Sequence, residues 1–207
     1  MTAVKKLGPD DLLLCLFSGG GSSLLSCPMT GVSMLDLQNL TQQLLRSGAT
    51  IQEINTIRKH LSAIQGGRLA AMSQAPILAL IISDVVGDEP THIASGPCAP
   101  DPTTFSDAVE VLERYRINCS TTINKTLLEG SQNKIEETPK PNSSVFINVE
   151  NRIIANTHYS LTAAESFFQD HGIGTLILSD TVTGESSEVA KVFAALASIR
   201  RQLTCPV

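Results

Sequence analysis

Leu12-Leu13-Leu14-Cys15-Leu16-Phe17-Ser18-Gly19-Gly20-Gly21-Ser22-Ser23 is the stretch that decides how this chain folds. Six apolar residues follow Asp11 without a break and stop at three glycines. An unbroken apolar run of that length, closed by a turn signal, reads as a strand buried on both faces, as in the sheet of an α/β protein. Pro76 opens a second such run over 77–83, which ends at Asp84-Val85-Val86-Gly87-Asp88. Two shorter strands are expected at 144–148 and 152–155, and another at 176–179, ending at Asp180.

The segments between these runs carry helical spacing. Residues 35–47 repeat leucines at three- and four-residue steps, with Gly48 as C-cap. Residues 51–65 place Ile54, Ile57, Leu61 and Ile64 on one stripe, and Asn55, Arg58, Lys59 and Ser62 on a neighbouring polar one. Further helices are expected after Thr103 or Ser106, over 121–133 and 160–170, and from Ser186 or Ser187 onward. Residues 134–144, polar and proline-containing, read as a surface linker. The alternation of strand and helix predicts an α/β fold, a Rossmann-like three-layer α/β/α sandwich with a largely parallel sheet.

Composition narrows the functional classes. The chain has 207 residues, 42% hydrophobic and 17% charged, enough for a core and unlike a disordered chain. Its net charge of -5, with neither half basic, no Trp and 4% aromatics, argues against a nucleic-acid surface. No apolar run approaches the length of a membrane span, and the N-terminus resembles neither a signal nor a transit peptide. Five cysteines without metal-like spacing fit reduced thiols in a cytoplasmic setting better than a disulfide scaffold.

Three loops follow buried strands and carry polar or glycine residues: 18–23, 83–98 and 179–187. In doubly wound α/β proteins ligands sit outside the carboxyl ends of the strands, so parallel strands would bring these loops to one crevice. The first loop, Ser18-Gly19-Gly20-Gly21-Ser22-Ser23, lets backbone approach an anion closely; its alternative reading is a tight turn. It is neither a Walker A loop nor Gly-x-Gly-x-x-Gly, because Leu24 stands where the last glycine would be. Asn55, Arg58 and Lys59 can form an anion-binding face or a merely solvated one. Asp84 and Asp88 can hold Mg²⁺ through oxygen ligands and water, or cap turns. His92 lacks the partners of a structural zinc site.

These residues resemble the class II glycerate kinases, whose chains end in a small MOFRL domain. The resemblance is carried by Leu16-Phe17-Ser18-Gly19-Gly20-Gly21-Ser22-Ser23-Leu24-Leu25, by Asn55-Thr56-Ile57-Arg58-Lys59-His60-Leu61-Ser62 with Gly66-Gly67-Arg68, and by Ser83-Asp84-Val85-Val86-Gly87-Asp88 followed by Ile93-Ala94-Ser95-Gly96-Pro97. It implies transfer of the γ-phosphoryl group of ATP to a hydroxyl of D-glycerate with Mg²⁺. Ser18, Gly19, Gly20, Gly21, Ser22 and Ser23 would then face the nucleotide phosphates. Asn55, Arg58 and Ser95 would face the substrate, Arg58, Lys59, Asp84 and Asp88 would be catalytic, and Asp84 and Asp88 would hold the metal.

Members of the family are considerably longer. The resemblance therefore implies a partial large N-terminal domain over 1–207, truncated at both ends and without the MOFRL domain. It implies impaired activity, with the complete protein in cytoplasm or mitochondria. Two alternatives stand beside the kinase. One is a non-catalytic fragment that binds a ligand or partner. The other is a hydroxypyruvate reductase-type oxidoreductase, disfavoured because no acidic residue of the expected kind follows the glycine loop by about 20 residues.

Overall fold

The computed structural model describes residues 1–204, with Ser23 and residues 199–204 given by backbone alone; Cys205 falls outside it. Three strands form one parallel sheet in the order β1 (Leu13–Phe17), β2 (Ile77–Ile82), β3 (Val149–Ala155). Leu13 lies opposite Ile77, and Ile77 opposite Val149. Parallel neighbours require crossover connections, and helices supply them. Between β1 and β2 run α1 (Gly21–Leu24), α2 (Met34–Ser47), α3 (Ile51–His60) and α4 (Arg68–Ala71); between β2 and β3 run α5 (Phe105–Arg114) and α6 (Thr121–Ser131). The α/β class with a parallel sheet is thus as the sequence predicts.

The helix starts follow from local chemistry. Ser33, Thr50 and Thr104 each accept a hydrogen bond from the backbone N–H three residues on, and the carboxylates of Asp36, Glu53 and Asp107 each accept one from the backbone N–H of the cap residue. These reciprocal bonds satisfy donors that would otherwise be orphaned at the first turn.

The apolar residues form two cores. One is helical, built by Leu40 and Leu44 of α2, Ile54 and Ile57 of α3, Phe105 and Val111 of α5, and Ile123 and Leu127 of α6. Gly130 closes it: a Cβ there would run into the Phe105 ring. The other lies on one face of the sheet, where Cys15, Ile77, Ala79 and Ile81 meet Ala70, Ile93 and Cys98. The thiols of Cys15 and Cys98 are 3.8 Å apart in this core.

Several local expectations are corrected. The strands are not buried on both faces: Leu14 is 52% and Leu16 72% exposed, while Cys15 between them is buried. Side chains alternate across a strand, and an all-apolar sequence does not reveal which face is covered. Helix α3 ends at His60 rather than at Gln65: Leu61 leaves helical backbone at φ -106°, ψ 3°, and the N–H groups of Ile64 and Gln65 donate to Ser62 Oγ instead of to helical carbonyls. Residues 144–146 form a 3₁₀ turn, so the two strands expected around Glu150 are one. No strand forms at 176–179 among the described residues. The polar segment 134–144 is not a loose linker: Thr138 is buried, Pro139 O accepts from Asp101 N, and Glu137 accepts from Phe105 N.

The chain divides into two compact units, Met1–Tyr159 and Ser160–Val207. The second holds most of α7 (Thr157–Asp170) and α8 (Ser186–Thr204), joined by a connection in which Ser179 and Thr181 hydrogen-bond each other. No described helix is long and apolar enough to cross a membrane.

Candidate active site

Beyond the carboxyl ends of β1 and β2 the first unit holds a cavity of about 260 Å³. Gly20 and Ser22 line it from the loop after β1, Asp84 and Val85 from the loop after β2, and Asn55 and Arg58 from α3, with His92 and Ala94 beside them. Three of the sequence motifs thus meet at one place.

The glycines have separate reasons to be glycine. Gly20 has φ +77°, and a Cβ there would meet nothing within 4 Å, so its space is open. A Cβ at Gly19 would collide with the Asp84 carboxylate, and one at Gly21 would lie 2.9 Å from Ala94 Cβ. The loop is therefore pressed against the Asp84 and Ala94 segments, and this close approach holds Asp84 at the cavity.

Arg58 is the largest polar group there. One face of α3 sends Ile54 and Ile57 into the helical core, and the face beside it presents Arg58 to the loop. Its Nη2 donates to Ser22 O at 2.6 Å, and Gln65 Nε2 donates to the same oxygen at 3.2 Å. Burial pushes the guanidinium below its usual pKa, yet arginine stays charged in proteins. With one N–H committed to Ser22, the remaining fork is free to grip an oxyanion.

Ser95 is fully buried beneath the loop, its Oγ 3.0 Å from Ser22 Oγ and 3.3 Å from Asn55 Oδ1. Ala94, Ser95 and Gly96 all have positive φ, at 51°, 57° and 60°. Two non-glycine residues in succession in this region store strain of the kind that gathers at functional sites. The strain is held by Gly66 N donating to Ser95 O, Gly67 N to Gly96 O and Ala70 N to Pro97 O.

Not every expected residue reaches the cavity. Lys59 does not line it: its side chain is 1% exposed and its Nζ bonds Asp101 Oδ1 at 3.2 Å and Thr91 Oγ1 at 2.8 Å. Consecutive helical residues point about 100° apart, so Lys59 cannot share Arg58's direction. Burial lowers the Lys59 pKa; burial alone would raise Asp101, but Lys59, Thr103 and His60 together hold that carboxyl below its ordinary value. Asp88 does not line the cavity either, and its Oδ2 accepts from Asn156 Nδ2 at 2.5 Å. Ser18 and Gly21 line a neighbouring recess, and Ser18 O accepts from Gly21 N. The Ser23 side chain lies outside the described residues. The 179–187 loop belongs to the second unit. Among the described residues no three metal-ligating side chains cluster.

His92, which lacks the partners of a zinc site, lines the cavity. Burial, then the charge of Lys59, lowers its pKa, so it is neutral near pH 7. Its signal in the sequence was its place just ahead of Ile93-Ala94-Ser95-Gly96.

A parallel sheet with a cavity outside its strand ends, walled by a glycine loop, an arginine and an aspartate, defines an α/β protein whose candidate site lies where such folds place their ligands. Residues 1–128 match the family described as "Domain of unknown function (DUF4147)", and the chain belongs to that family. A D-glycerate 2-kinase of Thermotoga maritima is 41% identical over 194 residues, covering 93% of this chain and 44% of that protein. A protein of Agrobacterium vitis, provisionally named a hydroxypyruvate reductase, is 45% identical over 206 residues, covering 99% of this chain and 45% of its own. The crystal structure of a glycerate kinase from Thermotoga maritima superposes with a TM-score of 0.72 at 43% identity, over 86% of this chain and 40% of that one. The chain thus spans less than half the length of these relatives.

Proposed function

We propose that this chain is part of a glycerate kinase body, and that its cavity binds the groups exchanged in phosphoryl transfer from ATP to D-glycerate. The observation that carries the reading is the meeting of Gly20, Ser22, Asn55, Arg58 and Asp84 around one cavity, from three separate segments. The name of the Thermotoga maritima relative points to the 2-hydroxyl as acceptor.

Phosphoryl transfer asks for positioning and charge neutralisation more than covalent chemistry. Arg58 supplies a fixed cation whose fork matches a carboxylate or phosphoryl group. Gly20 leaves room for phosphate oxygens to approach the backbone. Ser22, oriented by Ser95, and Asn55 offer hydroxyl and amide groups to the substrate. His92, uncharged, can accept the hydroxyl proton. Asp84 fits a Mg²⁺ ion, which is commonly held by one or two carboxylates together with nucleotide phosphates. When bound, Mg²⁺ neutralises phosphate charge. Asp88 reaches this set only if it leaves Asn156, so Asp84 is the principal carboxylate. Lys59 serves by anchoring α3 to Asp101 rather than by touching substrate.

The test uses the 207-residue chain with ATP, Mg²⁺ and D-glycerate, following ADP and phosphoglycerate. Turnover supports the reading. Arg58→Ala is expected to lower kcat/KM by about a hundredfold or more, the scale for losing one oxyanion-stabilising donor. Wild-type kinetics in that variant would remove Arg58 from the site. Binding of ATP without turnover would make this chain a ligand-binding fragment. NADH oxidation with hydroxypyruvate would make it the oxidoreductase that the Agrobacterium vitis name describes.

A further inference from the structure

The sheet core holds two cysteines that the cavity chemistry does not use. Cys15, in the middle of β1, and Cys98, three residues after Ser95, bring their sulfurs to 3.8 Å, with the Cys98 S–H donating to Cys15 Sγ. The other described cysteines bond elsewhere: Cys27 Sγ donates to Met1 Sδ and Cys119 Sγ to Asn124 Oδ1. The two core sulfurs are not equivalent. The hydrogen bond from Cys98 holds the Cys15 thiol below its ordinary pKa, whereas the same bond, together with burial, pushes Cys98 up. Cys15 is also the more accessible, at 7% against 1%. Their backbones differ as well. Cys15 is fixed in the strand ladder opposite Ala79 of β2. Cys98 lies in a loop, its O accepting from Asn151 Nδ2 of β3 at 2.9 Å. The chain just ahead of it is the strained run Ala94-Ser95-Gly96.

We propose that Cys15 and Cys98 are a redox pair, closed to a disulfide by a hydroperoxide, which ties the segment beneath the glycine loop to the sheet. The proposal stands apart from the kinase reading. The Cys15 thiol gives up its proton, and its thiolate sulfur attacks one oxygen of hydrogen peroxide. The O–O bond breaks, and the departing hydroxide takes up that proton as water. The sulfur of Cys98 then attacks the Cys15 sulfenic acid, the S–O bond breaks, and the departing hydroxide takes the Cys98 proton as a second water. The two thiols are oxidised by two electrons, the peroxide is reduced by two, and one disulfide and two waters result. Cys15 takes the first step because its sulfur is the more acidic and the more accessible. Closing the gap to a bond requires one side to move. β1 is held by its ladder, so Cys98 moves. Gly96 and Pro97 carry the displacement to Ser95, whose Oγ meets Ser22 Oγ, and to Ala94, against which Gly21 is pressed. A pair of this kind suits a reducing compartment, where disulfides are transient and redox-sensing.

The experiment treats the folded 207-residue chain with hydrogen peroxide, alkylates the remaining thiols in denaturant, and maps linkages by peptide mass spectrometry. The Cys15 and Cys98 peptides are expected to appear crosslinked, lighter by two hydrogens than the pair of free thiols, and to separate on adding dithiothreitol. Cys98→Ser is expected to leave Cys15 as a sulfenic acid that dimedone traps, and Cys15→Ser to leave Cys98 unlabelled. Both positions are buried, so the linkage map of the unmodified chain decides the matter by itself if either variant fails to fold. The amide NMR signals of Ala94, Ser95 and Gly96 are expected to shift on oxidation and return on reduction, while those of α6 stay in place. Cys15 and Cys98 both still alkylated after peroxide, oxidation of Cys15 beyond the sulfenic acid without a crosslink, or dimedone on Cys98 rather than Cys15, overturns the pair. A crosslink that leaves the 94–96 signals unmoved overturns its reach to the cavity.

Discussion

At the scale of single residues, the pair Lys59–Asp101 is the most consequential feature outside the cavity. Both side chains are essentially closed to water, and each is the other's charge partner. Removing one partner leaves an uncompensated buried charge, which costs far more than the pair contributes. Asp101→Ala is therefore expected to destabilise the chain by about 3–5 kcal/mol, whereas the double change Asp101→Ala with Lys59→Met recovers much of that loss. Urea unfolding of the three chains checks this; equal midpoints for the single and double variants would show that Lys59 finds another partner. The pair also marks the limit of what the sequence disclosed. Arg58 and Asn55 were legible because they sit beside an apolar stripe of unmistakable period. By sequence alone Lys59 reads as their companion, because its partner Asp101 stands 42 residues later and leaves no local signal. His92 was legible as a residue but not as a wall of the site, since a lone histidine in a loop carries no periodicity.

At the scale of elements, the packing of α5 on α6 sets two effects against each other. Gly130 lies within α6, where alanine is intrinsically favoured by about 1 kcal/mol. A Cβ there would overlap the ring of Phe105, itself fully buried and edge-on to His60 at 4.7 Å between centroids. Overpacking a filled core costs about 1–3 kcal/mol, and an overlap with a ring that has nowhere to move falls at the upper end. Gly130→Ala is thus expected to destabilise despite the better helix former, and a raised melting temperature would show that Phe105 can shift. The helices and the parallel order of β1 and β2 were legible because caps and apolar runs are local. The 3₁₀ turn at 144–146 and the single strand β3 were not. Val145 and Phe146 turn onto the sheet core, a decision made by distant residues rather than by their own propensity.

At the scale of the whole molecule, the cavity draws on both cores at once. Arg58 and Asn55 ride on a helix anchored in the helical core, while Gly20 and Asp84 extend from strands anchored in the sheet core. Neither core alone assembles the site, so the α/β pattern, though readable from apolar runs, did not by itself give the geometry. The uncovered side of the sheet has a consequence of another kind. Leu14, Leu16, Ile82 and Ile154 are each close to half exposed or more, and they sit on adjoining parallel strands. An oily panel of this sort makes a protein surface-active. In solution the 207-residue chain should behave as a sticky colloid: retained on a hydrophobic column, brightening an apolar dye while still folded, and growing in apparent size with concentration. Leu14→Lys with Leu16→Glu should reduce all three, and concentration-independent monodispersity of the unmodified chain in light scattering would contradict the expectation.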